Sequence, residues 1–248
     1  LLGLEPEVAE ALADAPAADG AGESESGGGG RPAVQLARVL RGARHLMFAE
    51  VKQKVIDAVI AGTWTSGTRM PRLSVTIDNM RATLSADSGT VDVVSTQCVF
   101  AQLYRTVSKL GTGGMNTLFR GQIDERGRLF HVTYSQESGI DYGGLFADSI
   151  TNVVADCFSS RLDLLIPVPN ARATSTDGSN ADKFLPNPAY AHPPNARAIS
   201  MLEFLGRLLG FSMRTKVLLP YEFPAIIWKL LVGETPGFTD LQSIDATT

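Results

Sequence analysis

Cysteine and histidine are scarce in this chain, whose 248 residues hold two cysteines, Cys98 and Cys157, and three histidines, His45, His131 and His192. Two thiols exclude the disulfide framework that staples small secreted domains. The histidines lie far apart, and none has a second ligand type at a spacing such as HxxxH or CxxC, so the sequence proposes no metal site. Nor is there a run of about 18 uninterrupted apolar residues, the length a spanning helix needs. Glu203 and Arg207 break the most apolar stretch, which argues against a membrane span. The opening residues, Leu1 to Glu10, lack the basic start of a signal peptide. A reducing setting, cytoplasmic or nuclear, is the expectation.

Basic runs are missing too. Residues 1–30 hold seven acids and no base, and the formal net charge of the whole is −4, so residues 31–248 carry only +3. That balance lacks the electrostatic footprint of a nucleic-acid binder. With 44% hydrophobic and 19% charged residues, the remainder has the make-up of an ordinary globular domain.

The organisation follows from composition and period. Residues 1–33 are rich in Ala, Gly, Glu and Ser and end near GESESGGGG, a make-up that cannot bury enough apolar area to offset its ordering entropy. A disordered acidic linker is expected there, followed by a flanking helix and short strand over residues 34–94 and a main domain over 95–248. Phe48, Val51, Val55 and Val59 recur at helical spacing up to Gly62, and Leu73, Val75 and Ile77 alternate as a strand does. Ser95 can cap a helix carrying Val99, Phe100, Leu103, Val107 and Leu110, stopped by Gly111 and Gly113.

Two strand-like runs, Thr117 to Ile123 and Leu129 to Gln136, flank Asp124, Glu125, Arg126 and Gly127, which predicts a hairpin. Asp141, Gly143 and Gly144 then precede a helix with Phe146, Ile150, Val153, Val154 and Cys157 on its apolar side and Asp148, Asn152 and Asp156 on its polar side. A second strand pair is expected over Leu162 to Pro167 and Phe184 to Asn187. Asn195 caps a long apolar helix through Lys216, and Phe223 to Val232 forms another. The fold class is therefore α+β, mostly helical with two β-hairpins.

Direct chemical signals are weak. Cys157 lies on an apolar helical stripe, and Cys98 sits near a helix start where the dipole can lower a thiol pKa; both read as packed thiols. There is no G-x-S-x-G elbow. The cluster Gly111-Thr112-Gly113-Gly114 follows a helix and leads into an expected strand, the reverse of a phosphate loop, so it reads as a connector. Gly206 and Gly210, one turn apart on the long helix, predict a flat face in close contact with a neighbour, where leucine would overpack at a cost of roughly 1–3 kcal/mol.

A set of segments in order resembles one family. GIDYGGLFADS (Gly139 to Ser149) resembles a signature of the amino-terminal lobe of HECT-type ubiquitin ligases. Ahead of it stand the helix Val99 to Leu110 and a strand with the F-x-V-x-F pattern at Leu129 to Tyr134. After it come LLIPVPNA (Leu164 to Ala171), FLPNP (Phe184 to Pro188), MLEFLGRLLGFSMRTK (Met201 to Lys216), FPAIIWKLLVGE (Phe223 to Glu234) and DLQSID (Asp240 to Asp245). The very large HECT ligases are the nearest in pattern. Ala147 stands where a basic residue is usual, and Ser212 where alanine is common.

The resemblance implies a HECT amino-lobe-like fold, with residues 95–248 as its large subdomain, ending ahead of the conjugating-enzyme-binding subdomain and the catalytic lobe. It implies a ligase that accepts ubiquitin as a thioester from a conjugating enzyme and transfers it to substrate lysines, with no cofactor. Neither Cys98 nor Cys157 matches the catalytic position, so this segment by itself is expected to be inactive. By the same resemblance Leu162 and Leu164 are candidate ubiquitin-binding residues, and Asp141, Gly143, Gly144, Gly206 and Gly210 are structural motif positions. The alternative is a non-catalytic interaction domain or a degenerate ligase.

Overall fold

The computed structural model describes residues 46, 48–63, 73–87, 97–121, 123–125, 128–135, 144–159, 161–172 and 179–246. The expected acidic linker over residues 1–33, the Ser95 cap, and Asp141 and Gly143 lie outside the described residues. The chain divides into two compact units, Leu1–Trp64 and Thr65–Thr248. In the first, helix α1 (Ala49–Gly62) forms where the helical period predicts it, and it buries none of its side chains.

The second unit contains β1 (Ser74–Ile77), α2 (Asn79–Asp87), α3 (Val99–Val107), α4 (Gly111–Arg120), β2 (His131–Tyr134), α5 (Gly144–Cys157), β3 (Leu165–Pro167), β4 (Phe184–Pro186), α6 (Ala196–Thr215), α7 (Ala225–Leu231) and α8 (Phe238–Gln242). The core gathers on α6, whose Met201, Phe204, Leu205, Leu208 and Phe211 are all buried. Phe204 takes edge contacts from Phe100 of α3, Tyr104 of α3 and Phe119 of α4, with ring centroids 5.5, 5.6 and 5.7 Å away. Phe211 meets Phe146 of α5, which in turn meets Phe130 ahead of β2. Edge-to-face packing of this kind adds about 0.5–1.5 kcal/mol per pair beyond area burial. The ends of α6 are spelled out locally: the Asn195 side chain accepts from the Arg197 and Ala198 amides, and Lys216 closes the helix in the left-handed region at φ 56°.

The first expected hairpin is not there. Residues 111–120 are helix α4, and β2 pairs in parallel with β1, Val75 opposite Val132 and Ile77 opposite Tyr134. The physical reason is that Met115, Leu118 and Phe119 stand at i, i+3 and i+4 and are all buried, a helical face that packing on α6 rewards over the weak helix propensity of GTGG. Parallel neighbours need a long crossover, which residues 78–130 supply. Across the expected turn, the Asp124 amide donates to the Arg128 carbonyl at 3.0 Å, and the Asp124 carboxylate holds the Arg128 amide at 2.9 Å and guanidinium at 2.8 Å. That loop joins α4 to β2 rather than two strands.

Glycine ends α3 in an unexpected way. Gly111 takes φ 68° after a short 3-10 turn, Ser108–Leu110, and redirects the chain straight into α4 instead of a strand. Gly114 is required because a Cβ there would lie 2.8 Å from Cβ of Leu110. Gly206 and Gly210 behave otherwise, contrary to expectation. Nothing lies within 4 Å of a Cβ built at either position, so they open a space instead of closing one.

The second strand pair forms, with β3 antiparallel to β4 and Ile166 opposite Leu185. It is shorter than expected at its start, since Leu162 and Leu164 precede the ladder. Among the described residues the fold is thus α+β and mostly helical, with one antiparallel hairpin and one parallel pair.

Candidate functional site

Three of the segments singled out as family-like, LLIPVPNA, FLPNP and DLQSID, meet around the β3–β4 hairpin. Beyond β3 the chain turns through Pro169–Arg172, and the buried Asn170 is the hub of that turn. Its amide donates to the Ile244 carbonyl at 3.0 Å, its Nδ2 to the carbonyls of Ser179 at 2.9 Å and Ser243 at 3.2 Å, and its Oδ1 accepts from the Ala246 amide at 2.7 Å. Asn180, in the left-handed region at φ 59°, adds a bond from Nδ2 to the Ser243 carbonyl at 3.0 Å. Across the hairpin, Asn187 donates from its backbone to the Leu164 carbonyl and from Nδ2 to the Asp163 carbonyl, both at 3.0 Å. One asparagine in LLIPVPNA therefore grips the DLQSID segment, and another in FLPNP grips the start of the hairpin.

The far side of this clamp is an ion-paired cap. Asp240 of α8 receives Lys229 Nζ on both carboxylate oxygens, at 2.7 and 2.8 Å, and accepts from the Gly237 amide at 2.7 Å. Lys229 first, and the Gly237 amide after it, hold this carboxyl below its ordinary value of 3.8. An aromatic cluster fills the space beneath: Phe158 touches Phe184, Tyr221 and Phe223, and Phe223 touches Trp228. Burial pushes the Tyr221 phenol well up.

Leu162 and Leu164 are both 0% exposed and belong to the core cluster. These two leucines, which the resemblance suggested, precede the ladder, where the chain runs through the interior. The half-exposed apolar residues of the hairpin are instead Ile166 and Leu185, directly opposite each other. Gly144 opens α5 and is exposed, with no atom within 4 Å of a Cβ built there.

The two thiols are buried, Cys98 at the N-cap of α3 and Cys157 at the end of α5. Burial, aided by the neighbouring Cys98 and Asp156, pushes the Cys157 thiol well above its ordinary value, which leaves little thiolate to act as a nucleophile. Asp156 is not on a polar face as expected. It is 2% exposed, its Oδ2 accepts from the Phe100 amide at 3.1 Å in the first turn of α3, and its Oδ1 lies 3.5 Å from Arg161 Nη1. Burial raises its pKa against the opposing pull of the Phe100 amide and Arg161.

Asn170, Asp156 and Asp240 are the residues that sequence reasoning missed. A signal existed for two of them. Asn170 follows Pro169, where an asparagine commonly bonds nearby backbone, and Asp240 stands three residues after Gly237 at the N3 position of a capping box. Asp156 gave none, since its partner is 56 residues away. Among the described residues, no group of three or more His, Cys, Asp or Glu could hold a metal ion, and no helix is long and apolar enough to cross a membrane.

This geometry offers anchoring and a surface, and both thiols lie buried away from it. Comparison with known proteins gives it a context. Residues 151–248 match the HECT-domain (ubiquitin-transferase) family. The E3 ubiquitin-protein ligase HERC2 of Homo sapiens is 28% identical over 195 residues, which is 78% of this chain and 4% of that protein. The probable E3 ubiquitin-protein ligase HECTD4 of Homo sapiens is 26% identical over 86% of this chain and 5% of its own length, and the E3 ubiquitin-protein ligase TOM1 of Saccharomyces cerevisiae 24% over 51% and 4%. The chain thus spans about one twentieth of the length of these relatives. Residues 151–248, which hold the hairpin, the Asn170 clamp and the core helix α6, are thus the part of the chain that matches the HECT-domain family.

Proposed function

We propose that this chain is a scaffold segment of a HECT-type ubiquitin-protein ligase, the large subdomain of its amino-terminal lobe. The observation that carries this reading is that the family match covers residues 151–248, and within it the separated segments close on one another through Asn170 and Asn187. A ligase of this class takes ubiquitin from a conjugating enzyme onto its own cysteine and passes it to a substrate lysine, dividing one acyl transfer into two. Here the nucleophile is expected in a lobe outside this segment, and the work of the segment is to hold that machinery in place. Ubiquitin and a conjugating enzyme are the proposed partners, and the cytoplasm or nucleus the proposed setting. Any non-covalent ubiquitin contact on the hairpin would fall to Ile166 and Leu185, since Leu162 and Leu164 are buried.

The test is a non-reducing gel after incubation with ubiquitin-charged conjugating enzyme. This chain should form no reducible adduct, because Cys98 and Cys157 are shut in the core, out of attack distance. The full-length ligase should form a thioester that survives Cys98→Ala and Cys157→Ala. An adduct on this chain that either substitution abolishes would overturn the scaffold reading, and a full-length protein that takes no ubiquitin at all would favour a degenerate ligase.

A further inference from the structure

Between α4 and α6 lies a groove of about 410 Å³, and its lining is unlike the rest of the molecule. Three guanidinium groups border it, Arg120 from α4 and Arg207 and Arg214 from α6, against one carboxylate, Glu203. Its wall on α6 is bare backbone at Gly206 and Gly210, where a built Cβ would meet nothing within 4 Å. The volume falls in the range that accepts small ligands and side chains, and the missing Cβ atoms are what make the room.

Arg207 is held in place, not dispersed in solvent. Arg207 has 16% of its side chain exposed, and its Nε donates to Asn116 Oδ1 at 3.1 Å, which fixes the plane of the guanidinium. Its Nη1 is buried, makes no hydrogen bond and sits 3.7 Å from Glu203 Oε2, a long ion pair to a side chain that is 58% exposed. Such a contact is worth little and is easily exchanged. Burial first, and then the charge of Arg120, lower the pKa of Arg214, so the two arginines crowd each other with like charge.

We propose that this groove binds an acidic peptide segment of a partner protein, a carboxylate side chain entering over Gly206 and Gly210 to bridge Arg207 and Arg214 with Arg120 at the rim. Planar guanidinium groups suit bidentate carboxylates, and an incoming acid adds negative charge where guanidinium groups outnumber carboxylates three to one. A long polyanion is disfavoured by the surroundings. Residues 65–248 carry sixteen Lys and Arg against seventeen Asp and Glu, so the basic character is confined to the groove and offers no track for a nucleic acid or an anionic membrane. This site rests on the geometry of α4 and α6 alone and does not depend on the transferase reading.

The experiment is fluorescence anisotropy with the whole chain and a labelled peptide of alternating glutamate and alanine, with the glutamine-for-glutamate peptide as the reference. The acidic peptide should bind and the neutral one should not. Arg214→Gln and Arg120→Gln should each weaken binding about tenfold, the size expected for losing one charge-assisted contact. Gly210→Leu should abolish binding by filling the groove, while Glu203→Gln should strengthen it by removing the internal competitor. Thermal midpoints of the variants separate loss of the site from loss of the fold. Equal binding of both peptides, indifference to Arg214→Gln and Gly210→Leu in folded variants, or a preference for heparin or for phosphatidylserine vesicles over the acidic peptide would overturn the proposal.

Discussion

Two parts of the second unit are held by different forces. Residues 97–135, which contain α3, α4 and β2, meet the core through rings and aliphatic side chains: Phe100, Tyr104 and Phe119 converge on Phe204, with partners about 85 to 104 residues apart in the chain. The region around the β3–β4 hairpin and α8 is held instead by side chains that bond to backbone, with Asn170, Asn187 and Asp240 each fixing a particular amide or carbonyl. Packing is non-directional and tolerates shape changes in aggregate, whereas an amide that caps a turn specifies one backbone geometry. The difference decides both where stability resides and where the sequence is easy to read.

If the first part is held by ring packing, the largest loss should come from its hub. Phe204→Ala should cost about 3–5 kcal/mol, the usual range for emptying a buried aromatic site. Urea denaturation followed by near-UV circular dichroism would register it. A shift under about 1 kcal/mol would mean the three edge contacts are replaceable and the contrast is overstated.

The second part makes a smaller and more local prediction. Asn170→Ala removes the bonds of the Asn170 side chain to Ser179, Ser243 and Ala246, three contacts that tie the turn to the end of α8, which should cost about 2–3 kcal/mol. Hydrogen exchange should accelerate first at the Ala246 amide and the neighbouring end of α8. Uniform acceleration across α3 and α4 would show that the clamp is part of the main core and not a separate device.

This contrast also explains which elements were legible. Asn195, Lys216 and the turn residues Asp124 and Arg128 act within four residues of themselves, and the helix ends and the loop they make are where the sequence put them. The strand pair Leu165–Pro167 with Phe184–Pro186 follows from alternation, the first strand expected three residues longer and the second one residue longer than it is. By contrast, the helical state of Gly111–Arg120 depends on burying Met115, Leu118 and Phe119 against α6, which lies some 85 residues on, and local propensity pointed the other way. Parallel pairing of β1 with β2 was hidden for the same reason. The groove was misread because glycine spacing shows that a helix face is bare, and says nothing of whether a neighbour fills it.

The two carboxylates that anchor these regions titrate in opposite directions, which gives a third test. Asp156, bound to the start of α3, has its folded pKa raised by burial, so its contribution to stability is present below its unfolded value near 3.8 and is lost as pH rises through the folded value. Asp240 has its folded pKa lowered by Lys229, so its contribution is present above that same value and is lost as pH falls through the folded one. Asp156→Asn should therefore flatten the decline of stability on the alkaline side of pH 4, and Asp240→Asn should flatten the acid limb. Thermal midpoints measured from pH 3 to 7 would show both, and matching profiles for the two variants would remove this distinction between the regions.

The smallest effect compares one substitution across the two sides of the groove. Gly206→Ala on α6 places a methyl where nothing lies within 4 Å, in a helix interior, so the gain is the propensity difference, about 0.5–1 kcal/mol in favour of the variant. Gly114→Ala on α4 places the same methyl 2.8 Å from Cβ of Leu110, an atom that cannot swing aside because it is bonded to the backbone. The same propensity gain is then offset by a clash, and the net should be a loss of about 1 kcal/mol. Opposite signs in guanidinium denaturation would establish that α6 leaves its glycine face open while α4 closes tightly on the preceding turn. A stabilised Gly114→Ala would mean that the 3-10 turn Ser108–Leu110 yields readily, and that the first region is looser than its ring contacts imply.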